Sequence, residues 1–177
     1  LLPLCPNRIA VEEVVAHDRV VRFYRPWPAC PKFLADWDAL SMKVPGATPF
    51  QSPHWQCAIG RFGDSLGTMR LVTVHQGEQL LAVVPLQWIG NGRWHTPGRL
   101  TTDYLQPLVQ PENAAGTWRA ILESVRQFAG QTLETITFDL IAADSATREQ
   151  LESLPASTGF VAKDQVVSSA TTIPLAA

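Results

Sequence analysis

The sequence lacks the features that mark several large classes of protein. It has no run of the roughly 20 apolar residues that a membrane-spanning helix needs, so no membrane span is predicted. It has no basic block, and its formal net charge is −2, so the charge pattern of a nucleic-acid-binding protein is missing. Its start, Leu1 to Leu4, is too short for the apolar part of a secretory signal and has no positive residue before it. We therefore expect a cytoplasmic protein without a nucleic-acid partner.

Cysteine and metal-binding motifs are also scarce. The three cysteines, Cys5, Cys30 and Cys57, are widely spaced and include no C-x-x-C pair, which predicts free thiols in a reducing compartment. The four histidines form no H-E-x-x-H motif or other short ligand pattern, so no metal site is predicted. The chain has neither the P-loop nor the G-x-G-x-x-G pattern.

What is present is the composition of a globular protein. Of 177 residues, 46% are hydrophobic and 17% are charged, which suits one ordinary core, so we expect a single domain over residues 1–177. Apolar residues at helical spacing predict helices over Phe33–Leu40, Pro53–Gly63 and Glu112–Ala129, and another that begins after Asp144 or Ser145 and ends at Pro155.

Strand patterns fill the stretches between these helices. Strands are predicted over Val20–Arg25, Met69–His75, Leu80–Ile89, Asp103–Val109, Leu133–Ile141, Phe160–Val167 and Thr171–Leu175, and a short return strand is expected near Arg93–His95. The predicted order is β-α-α-β-β-β-α-β-α-β, which indicates an α/β (α+β) fold.

Three details of the predicted strands are informative. Leu80–Val84 is apolar at every position, which is typical of a central strand covered on both faces. Pro85 cannot donate a ladder hydrogen bond, so we expect a bulge or a locally unpaired edge there. Asn91-Gly92 predicts a tight turn. Trp88 and Trp94 flank that turn, either as a cross-strand pair or as an exposed contact patch.

One catalytic motif is present in the wrong context. Gly63–Gly67 matches G-x-S-x-G and resembles the signature of GDSL-type serine esterases, with Ser65 as the nucleophile. That motif works between a strand and a following helix, whereas here a helix precedes it and a strand follows. No histidine has Asp three residues before it to act as the base. We interpret the stretch as a loop, and the esterase stays the less favoured function.

Two residue pairs are candidates for a site. Asp103 and Tyr104, at a predicted strand start, are candidate catalytic and substrate-binding residues, since an acid beside a phenol can orient or deprotonate an amine. The alternative is that Asp103 caps a turn and Tyr104 packs. His54 and Trp55, at a predicted helix start, are candidate substrate-binding residues. The alternative is that His54 is solvated and that Trp55, like Trp37 and Trp118, packs in the core.

Several strings, in order, resemble a known family. Pro49–Trp55 resembles a PF-x-S-x-x-W block, and Thr102–Val109 resembles an S-D-Y-x-x-P-L-V block. Between them lie Leu71–Val74 and Leu81–Leu86 in matching order. With the order of elements, these strings resemble the N-terminal half of the acetyltransferase family linked to cellulose biosynthesis (CelD/BcsL type), within the Gcn5-related N-acetyltransferase (GNAT) and FemAB-like acyltransferases. The resemblance implies a mixed, mostly antiparallel central sheet flanked by helices.

The resemblance also implies acyl transfer from acyl-CoA to an amine or a hydroxyl. GNAT proteins hold the coenzyme diphosphate on a Q/R-x-x-G-x-G/A turn at the start of the long helix. The matching stretch here is Gln110–Gly116, with Asn113, Ala115 and Gly116 as the cofactor-binding positions of a degenerate loop. Only one glycine is present, Pro111 lacks an N–H, and Glu112 adds an anion.

A second GNAT-like half follows in the family, and it is the expected seat of acyl-CoA and of catalysis. The resemblance therefore implies a substrate-side or non-catalytic N-terminal lobe, inactive alone, with acetyl-CoA or acyl-CoA bound by the full-length protein. The expected partner is that second lobe or another copy of this chain. The alternative is a non-enzymatic interaction module.

Overall fold

The chain folds as a sheet with helices on both faces. The computed structural model describes residues 10–25, 27–28, 30–63, 67–98, 105–154 and 159–163. The strands are β1 Ala10–Ala16, β2 Arg19–Arg25, β3 Met69–Gln76, β4 Gln79–Trp88, β5 Arg93–His95, β6 Leu108–Val109 and β7 Thr135–Thr137. The helices are α1 Pro31–Ser41, α2 Pro53–Gly63, α3 Ala114–Ala129 and α4 Ala146–Glu152, with short 3-10 turns at Pro49–Gln51 and Gly130–Thr132.

The described strands form one sheet. Its order is β1-β2-β3-β4-β5-β7, and β6 also pairs with β4. The pair β5–β7 is parallel, and each of the other described pairs is antiparallel. The predicted fold class, a mixed and mostly antiparallel sheet flanked by helices, is confirmed.

The helices begin and end where local chemistry predicts. Pro31 and Pro53 occupy the first positions of α1 and α2, where a missing N–H costs nothing. Ser145 caps α4, since its Oγ accepts a hydrogen bond from the Arg148 backbone at 3.3 Å. Helix α3 begins at Ala114 rather than at the predicted Glu112, because Asn113 has φ 59, outside the helical range.

The two faces of the sheet hold separate cores. On the face covered by α3, the Phe23 ring of β2 stacks on Phe128 at 4.4 Å between centroids, and Trp118 is fully buried. On the other face, covered by α1, Phe33 and Trp37 pack against β4. We call these the α3 face and the α1 face.

Strand β1 was missed by the sequence patterns. Glu12 and Glu13 interrupt its apolar residues, so it does not read as a buried strand. It lies at the end of the described strand order and pairs there with β2 alone, and an edge position tolerates charges. The Glu13 carboxylate accepts a hydrogen bond from Arg22 Nε of β2 at 2.8 Å, which turns the charge into a cross-strand contact.

Three predicted strands are wrong in extent. In Asp103–Val109, residues 105–107 are not strand and the described strand is β6, while Leu133–Ile141 shrinks to β7. Leu140 has φ 55, a left-handed conformation that a regular strand cannot contain. Residues 160–163 are not strand either. The rest of Phe160–Val167 and all of Thr171–Leu175 lie outside the described residues.

Strand β4 is central, as predicted, and its far edge has a gap. Residues Leu80–Leu86 are all buried. On one edge Pro85 lies opposite Leu71 of β3. On the other edge β6 pairs with Ala82 and Val83, and β5 pairs with Gln87 and Trp88. Residues 84–86 therefore have no strand partner on that edge among the described residues, which fits the predicted unpaired edge at Pro85.

The turn between β4 and β5 also follows the prediction. Asn91 and Gly92 both have positive φ, 50 and 67, as a tight hairpin turn requires. A Cβ at Gly92 would clash with the carbonyl oxygen of Thr132, so only glycine fits there. Trp88 and Trp94 lie opposite each other in the pairing, with Trp94 buried and Trp88 46% exposed. No helix in the described ranges is long and apolar enough to cross a membrane.

Candidate functional site

A small polar cavity lies beside the gap in the edge of β4. It is a partly open space of about 10 Å³, close to the room that one water molecule needs. Its walls come from α1, α2, the first 3-10 turn, β4, the segment after β5 and the segment leading into β6. The lining residues are Trp37, Gln51, Gln56, Val83, Pro85, Thr96, Pro97, Leu105, Gln106 and Leu108.

Three buried carboxamides distinguish this cavity from an ordinary core void. Gln51, Gln56 and Gln106 are each at most 5% exposed. Buried polar side chains need hydrogen-bond partners, because an unpaired one costs about 1–3 kcal/mol. The partners of each glutamine therefore show whether its side-chain atoms are used within the fold or whether one of them is available to a ligand.

Gln51 serves the fold. Its Oε1 accepts hydrogen bonds from the backbone N–H and the hydroxyl of Thr48, at 2.6 and 2.9 Å, and so closes a capping box around the first 3-10 turn. Its backbone carbonyl accepts the Trp37 indole N–H at 2.9 Å. These bonds hold the 3-10 turn against α1 and fix one wall of the cavity.

Gln56 has a side-chain oxygen that is available to a ligand. Its Nε2 donates to the Phe50 carbonyl oxygen at 2.7 Å. Because a carbonyl only accepts, the amide nitrogen must face Phe50, and this fixes the orientation of the carboxamide. Its Oε1 is buried and has no hydrogen-bond partner among the described residues.

Gln106 has the same orientation at the opposite wall. Its Nε2 donates to the Gly46 carbonyl oxygen at 3.0 Å, so its Oε1 lies on the other side of the amide. Thr96 is anchored to β7, where its N–H donates to the Thr137 carbonyl oxygen and its hydroxyl accepts from the Asp139 N–H. The cavity is thus held between the α1 face and the parallel β5–β7 pair.

The described lining of the cavity is uncharged. Each of its ten described residues is apolar or neutral, and none carries an ionisable side chain. A charged group placed here would lose its hydration without gaining a counter-ion from these residues. The arrangement suits a neutral hydrogen-bond donor.

The predicted substrate-binding pair lies near this region but outside the cavity lining. His54 and Trp55 are in the first turn of α2, and both are exposed, Trp55 by 39%. The expectation that Trp55 packs in the core is wrong, whereas Trp37 and Trp118 are fully buried as expected. The Trp55 ring meets Phe50 edge to face at 5.2 Å, beside the turn that carries Gln51.

Other predicted residues fall outside the described part of the chain. Asp103 and Tyr104 do, and so does Ser65 of the esterase-like motif. The next described residues after Tyr104 are Leu105 and Gln106, which line the cavity. The roles of Asp103 and Tyr104 stay predictions.

The three predicted cofactor-binding positions lie at the start of α3, with Asn113 in the turn before the helix and Ala115 and Gly116 in its first turn. Asn113 and Ala115 are exposed and Gly116 is half-buried, and the Asn113 side chain makes no capping bond. Glu112 lies just before them. The pKa of Glu112 is lowered, first because its carboxylate accepts from its own backbone N–H and then because Gln110 donates to it. A fixed carboxylate therefore stands at this helix start.

Arg19 packs beneath the same turn and was not predicted. It is 5% exposed, and its Nη1 donates to Asp18 Oδ1 at 2.6 Å. A Cβ added to Gly116 would lie 3.1 Å from Arg19 Nη2 and 2.7 Å from Asn113 Oδ1. The glycine is therefore needed so that the chain's own side chains can approach the helix.

The parallel pair β5–β7 also brings His95 near Asp139. The distance from His95 Nδ1 to Asp139 Oδ2 is 3.7 Å, an ion-pair distance if the imidazole is charged and too long for a hydrogen bond. The His95 Nε2 atom is buried without a partner among the described residues. The described residues contain no group of three or more His, Cys, Asp or Glu side chains that could hold a metal ion.

The cavity glutamines gave only weak signals in the sequence. Gln51 and Gln106 stand inside the strings PFQSPHW and TDYLQPLV, but as variable positions of the patterns. Gln56 follows Trp55 on an amphipathic helix, where a polar residue is unremarkable. An unpaired edge at Pro85 was predicted, but no local pattern predicts that the three glutamines meet beside it.

Comparisons with known proteins find similarity to a solved structure. No protein-family model matches the chain, and none of the curated proteins matches it significantly. The crystal structure of the apo aminoglycoside antibiotic 6'-N-acetyltransferase AAC(6')-IG from Acinetobacter haemolyticus is similar over 84% of this chain and 98% of its own, with 17% identity and a TM-score of 0.49. At that level the similarity assigns neither an activity nor a substrate to this chain.

Proposed function

We propose that the chain is a GNAT-like acyltransferase domain, acting as the substrate-side, non-catalytic N-terminal lobe of an acyl-CoA-dependent N- or O-acyltransferase of the CelD/BcsL type. The observation that carries the proposal is the partly open cavity with buried carboxamides, beside the stretch of β4 that has no strand partner on one edge among the described residues. The motif strings in order, from Pro49–Trp55 to Thr102–Val109, support the same family.

In this proposal the cavity receives part of the acyl acceptor. Pockets that bind small molecules are mostly apolar with a few placed polar groups, and the cavity has apolar walls from Val83, Leu105 and Leu108 with carboxamides between them. Its walls come from elements that are far apart in sequence, so the folded sheet holds them in place. Such a site orients an acceptor and leaves the chemistry to groups on a second lobe.

The turn before α3 supports the non-catalytic part of the proposal. A diphosphate binds a helix start through free backbone N–H groups and the positive end of the helix. Here Pro111 lacks one N–H, the ionised Glu112 repels phosphate, and Gly116 accommodates Arg19 and Asn113. We therefore place the acyl-CoA on the second lobe.

Titration with coenzyme A tests this placement. We expect no saturable binding to the chain alone at millimolar coenzyme A, measured by calorimetry and by tryptophan fluorescence. The matched variant Glu112→Gln removes the repelling charge while keeping the size of the side chain, and is expected to bind weakly or not at all. A crystal soaked with coenzyme A that shows phosphates on residues 113–116 would overturn the placement.

The two-lobe proposal has its own test. It expects the reading frame to encode a second α/β lobe, and the full-length product to transfer acyl groups from acyl-CoA to an amine or a hydroxyl acceptor. Transfer of equal rate by residues 1–177 alone would reject the non-catalytic role.

An interaction module is the second candidate, and one surface favours it. Trp88 and Ile89, at the β4–β5 turn, are 46% and 48% exposed side by side. Exposed apolar neighbours of this kind are typical of contact surfaces. Light scattering of the chain and of Trp88→Ser tests the idea, since a monomer in both cases rejects self-association through this surface.

The esterase hypothesis predicts labelling of Ser65 by a fluorophosphonate, and we expect none.

A further inference from the structure

We infer that the cavity beside β4 binds an uncharged hydroxyl group, so that the acceptor of the proposed transferase is a neutral alcohol rather than an amine. That the bound molecule is the acyl acceptor rests on the proposed function. The binding chemistry itself rests on Gln56, Gln106 and the neutral walls of the cavity.

The first step is the direction of the hydrogen bond. Gln56 uses its amide N–H on the Phe50 carbonyl, and its buried Oε1 has no partner among the described residues. Gln106 likewise uses its N–H on the Gly46 carbonyl. The buried Gln56 Oε1 therefore offers an acceptor at the cavity, and a group that binds this oxygen must donate.

The second step is charge. An aliphatic amine has a pKa near that of lysine, roughly 10.4, and carries a positive charge at neutral pH. The described lining of the cavity has no carboxylate, so these residues give an entering ammonium group no counter-charge for the hydration it loses. A hydroxyl donates a hydrogen bond without this cost.

The third step is size. The cavity has room for about one water molecule, and a hydroxyl is the donor group closest to water in volume. The rest of the ligand would stay outside the opening. An O–H group can donate to Gln56 Oε1 in a space where a water molecule would fit.

The experiment compares two small probes of similar size that differ in their donor groups. Glycerol and its amine analogue 1,3-diaminopropane, which has ammonium groups and no hydroxyl, are titrated at pH 7 into the full chain, with the Gln56 side-chain amide followed by nitrogen-15 NMR. We expect saturable shifts with glycerol and at least about tenfold weaker binding of the analogue. Gln56→Met is expected to weaken glycerol binding about tenfold or more, and the exposed-site control Gln79→Met to leave it unchanged.

Several results would overturn the inference. These are equal binding of both probes, the absence of a saturable shift at Gln56 in the unaltered chain, or glycerol binding by Gln56→Met at the original strength. The unaltered chain provides the first two results even if a variant fails to fold. A further arm uses the full-length protein: transfer to amines only contradicts the inference alone, whereas specific glycerol binding without any transfer contradicts the proposed function alone.

Discussion

The two faces of the sheet are packed in different ways. The α3 face buries sixteen apolar residues of the described chain in one cluster, and the α1 face buries eight. Around the smaller cluster lie the buried Gln51, Gln56 and Gln106, which line the cavity beside β4. Burial of apolar surface supplies most of the stabilisation of a fold. The difference indicates that the α3 face supplies more of the apolar burial, whereas the cavity proposed as a binding site lies beside the α1 face.

The largest expected effect is the loss of the central side chain of the α3 face. Trp118 is fully buried, meets Phe138 edge to face and donates to Gln150. Trp118→Ala should lower the free energy of unfolding by about 3–5 kcal/mol, because it leaves a large cavity. Urea unfolding measures this. The exposed Trp88→Ala is the control and should change stability by less than about 1 kcal/mol.

A subtler pair of changes compares the two faces directly. Trp37→Phe and Trp118→Phe each remove one indole N–H bond, to the Gln51 carbonyl at 2.9 Å and to Gln150 Oε1 at 2.9 Å. Gln51 is 3% exposed, so its carbonyl loses a partner that water cannot easily replace, whereas Gln150 is half-buried. We expect Trp37→Phe to cost about 1–3 kcal/mol and Trp118→Phe to cost less. Equal costs would contradict the idea that the turn at Gln51 depends on this bond.

The stability of the chain at low pH should depend on His75, which lies on the α1 face. Burial is the largest cause that lowers the pKa of His75 on the α1 face, and the charge of Arg22 lowers it too, while Asp36 and Glu13 raise it. Together these causes bring the pKa from 6.5 to about 4. Because the pKa in the folded state lies below that of the unfolded chain, the unfolded chain binds protons first as the pH falls. The contribution of His75 is complete above about pH 6.5 and is lost between there and pH 4.

The measurement is urea unfolding at pH 7 and pH 4 for the unaltered chain and for His75→Gln. We expect the unaltered chain to lose about 1–2 kcal/mol more than the variant, a value reduced for the part of the side chain that water still screens. The Thr73 hydroxyl lies 3.0 Å from His75 Nε2, so Thr73→Val serves as the control for the hydrogen bond alone. An identical pH dependence in His75→Gln would show that other groups control acid stability.

The sequence patterns predicted the elements on either face that have local signals. Helices α1, α2 and α3 were found because apolar residues at helical spacing and proline or serine at their starts are local signals. The centrality of β4 followed from its unbroken apolar run Leu80–Val84, and the turn at Asn91-Gly92 from two residues that tolerate positive φ. Each of these signals lies within a few neighbouring residues.

The missed features depend on contacts between distant residues. Strand β1 is held by its pairing with β2, and its glutamates interrupt the apolar pattern that would have predicted it. The parallel contact of β5 with β7 joins segments about 40 residues apart, and it sets Thr96 against Asp139. The cavity needs this contact together with α1, α2 and β6. Local patterns show the conformation that each residue prefers. They do not show that Gln51, Gln56 and Gln106 come together, because tertiary packing determines this.

The smallest expected effect is the sharpest test of how the α1 face is used. Gln51→Met should cost about 1–3 kcal/mol of unfolding free energy, because it removes both bonds to Thr48 and leaves the Thr48 N–H unpaired. Gln56→Met loses one bond to Phe50 but also removes a buried oxygen without a partner, and these two effects nearly cancel. Its stability should stay within about 1 kcal/mol of the unaltered chain. A buried polar residue that contributes little to stability is what we expect in a binding site. If Gln56→Met is as destabilising as Gln51→Met, then Gln56 serves the fold and the cavity loses its main argument for a ligand.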